Sequence, residues 1–133
     1  MSDDLYSKYI NLRETLGEEH RETYIAWGDW ASSLTRAEAI PEFEEMLDYV
    51  RRIYGPDHHE TFYIWLILIQ LNDGYSSYAV VEDEYRKLYK ASLRVYGPTY
   101  DFTKDIEYRW KFALRKLNHS IRANEMLRKE REE

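Results

Sequence analysis

The chain has 133 residues, enough for one domain with a continuous core. Hydrophobic residues make up 44% and charged residues 33%, a globular balance that argues against disorder. There is no cysteine, which excludes disulfides and thiolate metal sites.

The opening Met-Ser-Asp-Asp-Leu has neither the basic start nor the apolar run of a signal peptide. The longest apolar stretch, Phe62 to Ile69, is far too short to span a bilayer, so no membrane partner is expected. A cytoplasmic setting is the default, with the nucleus left open. The net charge of −6 hides a gradient. Residues 1–60 carry fourteen acidic and six basic side chains, residues 61–103 five and four, and residues 104–133 six and nine. Nucleic-acid binding would need a denser basic stripe than this tail offers, so none is expected.

In chain order, Leu5, Tyr9, Leu12 and Leu16 predict an opening helix, which looks like the second half of a helix pair. An excerpted or engineered chain would start this way. Trp27, Trp30, Ala31 and Leu34 then define one buried stripe. Thr35-Arg-Ala-Glu38 has the form of a capping box and should open a third helix. That helix places Ala39, Phe43, Met46, Leu47, Val50 and Tyr54 on one face, with Pro41 kinking its first turns. A fourth helix uses Trp65, Leu68 and Leu71 and breaks at Asn72-Asp-Gly74. The fifth uses Val81, Tyr85, Leu88, Tyr89 and Tyr96, and the sixth Ile106, Trp110, Ala113, Leu114 and Leu117. A break near Asn118 should precede a charged seventh helix through Met126 and Leu127.

Three connections align: Gly17-Glu-Glu-His-Arg-Glu-Thr23, Gly55-Pro-Asp-His-His-Glu-Thr61 and Gly97-Pro-Thr-Tyr-Asp-Phe-Thr103. Their glycines lie 38 and 42 residues apart. Glycine there is the expected helix stop, entered in the left-handed conformation, and Pro56 and Pro98 keep the helix from continuing.

These connections, with Glu38-Ala-Ile-Pro-Glu-Phe43, resemble the tetratricopeptide repeats of the kinesin-light-chain type. The resemblance covers nearly the whole chain. It implies an all-α fold, a right-handed superhelix of antiparallel helix pairs forming a single domain over residues 1–133. By this alignment the first unit lacks about four residues at the turn between its helices. Ala31 with Ala39 keeps the small contact that lets paired helices approach. Ile69 with Val81, and Lys111 with Ala123, depart from it, so looser packing is expected there.

Little in the sequence points to catalysis. Asp57-His58-His59-Glu60 offers metal-ligand types, but adjacent turn residues rarely converge on one ion. His58 copies His20 and is expected to cap the next helix instead. Glu44 and Asp48 lie four apart at exposed positions, without the pocket that acid–base work needs. No phosphate loop or nucleophile elbow is present. The expectation is no enzyme, no catalytic residue, no metal and no cofactor.

The resemblance also implies a concave groove lined by the first helix of each unit. Transferred to this chain, its partner-facing positions are Ile25 and Asp29, then Tyr63, Leu66, Ile67 and Gln70, then Tyr108, Arg109 and Phe112. Such a cluster, if open, is near or above what a monomer usually exposes. The expected function is a protein-interaction module that takes a peptide or helix of a partner in this groove. The alternative is a self-associating structural or scaffold unit, natural or engineered, whose partner is a second copy. A third reading buries the same side chains as core.

Overall fold

The computed structural model describes residues 2–132. They form six helices: α1 (Ser2–Leu16), α2 (Arg21–Ser32), α3 (Arg36–Tyr54), α4 (His59–Asn72), α5 (Tyr78–Tyr96) and α6 (Asp101–Glu132). The protein is all-α, with no strand among the described residues and no helix there long and apolar enough to cross a membrane.

Local chemistry sets the helix ends. The Thr35 hydroxyl accepts from the Glu38 amide and donates to the Glu38 carboxylate at 2.6 Å, so the capping box opens α3 as expected. Ser77 opens α5 in the same way, through the Val80 amide at 3.3 Å. The amides of Gly55 and Gly97 close α3 and α5 on Arg51 and Leu93 carbonyls, both at 3.0 Å. Pro41 sits within α3, which runs on without interruption to Tyr54.

The helices group into two compact units, Met1–Ile64 and Trp65–Glu133, and the division falls inside α4. In the first unit, the Tyr9 ring lies parallel to Trp27 at 5.9 Å and to Trp30 at 5.7 Å, joining α1 to α2. Tyr24 stacks on Tyr49 at 5.6 Å, and the Trp27 indole N–H donates to Glu42 at 3.1 Å, joining α2 to α3. Ala31, Ala39, Phe43, Met46, Leu47 and Val50 are buried between them, as the stripes predict, whereas Leu16 is 43% exposed. In the second unit, Tyr89 stacks on Trp110 at 5.4 Å, and the Trp110 indole donates to Glu82 at 2.8 Å. These contacts join α5 to α6 over Val81, Tyr85, Leu88, Ile106 and Ala113, all buried.

Equivalent positions of the three connections make equivalent contacts. The Thr23 hydroxyl donates to the Leu12 carbonyl, and Thr61 donates to those of Val50 and Gly55. At the third connection the Thr103 hydroxyl meets the Ser92 hydroxyl at 2.6 Å. Each threonine reaches back eleven residues, and each is at most 2% exposed. A buried hydroxyl without a partner is costly, so this residue type belongs where the end of the preceding helix offers a hydrogen-bond partner. The Trp-to-carboxylate bond recurs too: Trp27 reaches Glu42, fifteen residues on, and Trp65 reaches Glu84, nineteen on. The difference is the four residues that the first turn lacks.

Two expectations are corrected. The seventh helix does not exist as a separate element, because α6 continues without a break through Asn118. Residues 101–132 contain neither glycine nor proline, and Asn-His-Ser costs a helix only tenths of a kcal/mol per residue. Its 32 residues extend about 48 Å at the usual rise. From Ile121 to Arg131 every side chain is exposed, so the supposed pair of Lys111 with Ala123 does not pack. In α4, Trp65, Leu68 and Leu71 are only half-buried, while Phe62, Ile64, Leu66 and Ile69 form the buried set. A helix apolar almost all round carries no phase for a stripe to be read from.

Candidate partner-binding surface

The surface is built where α4 ends and α5 begins. The Asn72 carbonyl accepts from the amides of Tyr75 (3.0 Å) and Ser76 (2.8 Å), and Gly74 takes a φ of 96° to close the turn. With Ser77 capping α5, Tyr78, Val81 and Tyr85 share one face at steps of three and four. Opposite stand Tyr108, Arg109, Phe112, Ala113 and Lys116 of α6, again one face of a helix. With Asp73 these residues line a cleft of about 200 Å³.

Its floor is apolar and its charges are paired. Arg109 donates to Asp105 at 3.1 Å, which raises its basicity further. Lys116 lies 3.8 Å from Asp73 and 4.8 Å from the Phe112 ring centre, a cation held over an aromatic face. Burial pushes the Tyr85 phenol up, with Arg109 partly opposing it. Tyr85 is therefore a neutral wall of the cleft. The arrangement suits an apolar side chain with polar flanks.

The structure brings three of the transferred positions together here. Tyr108 is 67% exposed and Phe112 47%, one turn apart on α6, with Arg109 half-buried between them. These two rings are surface, which the core reading does not allow. Leu66, expected in the open groove, is instead buried at 8% exposure, and Ile67 is half-buried. Gln70 is exposed, and neither it, Leu66 nor Ile67 lines the cleft. Ile25, Asp29 and Tyr63 are exposed residues of the first unit.

Sequence reasoning missed Asp73, Tyr78 and Lys116. Asp73 stands within the Asn72-Asp-Gly74 break, where a turn has no periodicity to assign a facing, whereas Tyr78 opens α5 three residues before Val81 and shares its face. Lys116 was findable, lying four residues beyond Phe112 and eight beyond Tyr108.

No family model matches the chain, and no curated protein matches it. Chemistry at the surface must carry the functional reading.

The connection histidines act as helix caps. Nδ1 of His20 accepts from the Glu22 amide and Nδ1 of His58 from the Glu60 amide, both at 3.1 Å. Among the described residues, no group of three His, Asp or Glu side chains is arranged to hold a metal ion. Glu44 and Asp48 are exposed on α3.

Proposed function

We propose that this protein is a non-catalytic interaction module of the tetratricopeptide type. In this reading the cleft between α5 and α6 receives a segment of a partner protein, and a cytosolic setting goes with it. The observation that carries the proposal is the open pair Tyr108 and Phe112 beside Tyr78, itself 47% exposed. Large rings cost free energy in water, and a paired aromatic edge over a cleft is where interface anchors sit. The recurring Gly-to-Thr connections support the repeat-type reading.

Tyr108→Ala or Phe112→Ala should weaken partner capture at least about tenfold, the effect of losing one anchor worth roughly 2 kcal/mol. Because both rings are open, the melting temperature should move only slightly. Deleting a core Phe would instead cost about 3–5 kcal/mol of stability. Thermal melts of the two variants beside a pull-down decide the matter. Unfolded variants with undiminished capture by whatever remains folded would refute the assignment.

The charge distribution favours a second reading, self-association. Residues 1–60 carry an excess of eight negative charges and residues 104–133 an excess of three positive ones. Copies could attract head to tail, a contact that propagates rather than closes. Surface charges are screened beyond about 8 Å at physiological salt, so such a species should dissociate as salt rises. Sedimentation at low and high salt tests this, and a species of constant size rules it out.

A further inference from the structure

The first unit has a cleft of its own, about 280 Å³, among α1, α2 and α3. Its floor is three aromatic rings. Tyr9 and Trp27 lie parallel at 5.9 Å and 10°, and Tyr49 stands edge-on to Trp27 at 78°. The carboxylates of Glu18, Glu45 and Asp48 stand around it.

Two arginines of the chain already use those rings. The Arg13 guanidinium lies 5.4 Å from the Tyr9 ring centre, and that of Arg52 lies 5.6 Å from Tyr49. Both side chains project from exposed positions, and Arg52 makes an exposed ion pair with Glu19 at 2.9 Å. Exposed pairs of this kind hold weakly, so the Arg52 guanidinium can leave its ring at little cost. We propose that this cleft is a recognition site for an arginine side chain of a partner polypeptide, which takes the ring face that Arg52 covers in the free protein.

Charge complementarity selects that occupant. The cleft holds three carboxylates against two guanidiniums, within a segment that is strongly acidic overall. The planar guanidinium stacks on aromatic faces while its edge donates to carboxylates, and this cleft offers both. The site is separate from the Tyr108–Phe112 cleft and stands or falls independently of it.

The test is an NMR titration of the labelled full chain, following the Trp27 indole. The probes are an acetylated, amidated peptide with one arginine and its neutral citrulline counterpart. The arginine peptide should shift the Trp27 signal saturably, and the citrulline peptide should not. Arg52→Ala removes the resident competitor and frees Glu19, so it should tighten binding about threefold, the scale of one exposed cation–π contact. Asp48→Asn should weaken it by a similar factor. Both positions are exposed, so both variants keep the fold. Equal response to citrulline, no saturable shift, or weakening by Arg52→Ala would overturn the proposal.

Discussion

At Gly55 and Gly97 the backbone takes φ of 94° and 84° with ψ of 163° and 173°. Sequence alone suggests the ordinary left-handed cap, which asparagine also tolerates. The observed region is open essentially to glycine alone. A Cβ at Gly55 would meet nothing within 4 Å, so the constraint is the backbone itself and not crowding. Gly55→Ala should therefore cost about 1–3 kcal/mol in urea unfolding, and exposed Pro56→Ala much less. Equal effects would mean that the glycine conformation has no role. His58 supports the same connection by accepting the Glu60 amide and stacking on Tyr54 at 4.8 Å. His58→Ala should cost about 1 kcal/mol, whereas His58→Asn, which can still cap, should recover most of it. Paired unfolding curves separate a capping histidine from a merely space-filling one.

Among the elements, α6 departs furthest from its pattern. Asn118 reads as a break because asparagine favours turns, yet a single preference does not stop a helix whose hydrogen bonds can continue. Within a continuous helix, Asn118→Ala should stabilise by up to roughly 0.7 kcal/mol. In a turn the same change would destabilise, so the sign of the shift in urea midpoint distinguishes the two. In α4 the ambiguity is of another kind. Leu66 and Trp65 are neighbours in a helix with almost no polar side, and only its packing decided that Leu66 goes inside.

For the whole molecule, the buried tyrosines Tyr9, Tyr24, Tyr49 and Tyr85 set a response to alkali. Burial, and then the Glu60 carboxylate that accepts its hydroxyl at 3.0 Å, push the Tyr24 phenol well above its ordinary value of 10.0. Burial also raises Tyr9, Tyr49 and Tyr85. A phenol raised in the folded state keeps its proton after the unfolded chain has lost it. Its contribution to stability is whole below pH 10 and is lost as pH climbs towards the folded value. Melting temperatures should thus fall steeply above about pH 10, and Tyr24→Phe should flatten part of that fall. An unchanged slope in the variant would remove Tyr24 from the account.

The helix class, the connections, the capping box and histidine caps, and the face of α3 were all legible in the sequence. Each depends on residues a few positions apart, where spacing and backbone chemistry decide the outcome. Tyr108, Arg109 and Phe112 were legible as one face of α6 for the same reason, although their place in a groove came from the resemblance. The rest was decided by tertiary structure. The partners of that face, Tyr78, Val81, Tyr85 and Asp73, lie more than twenty residues away, and only the packing of α5 on α6 sets them opposite it. Burial of Leu66 and exposure of Tyr108 are likewise settled by which neighbours arrive. The same apolar side chain is core or surface according to whether another element covers it.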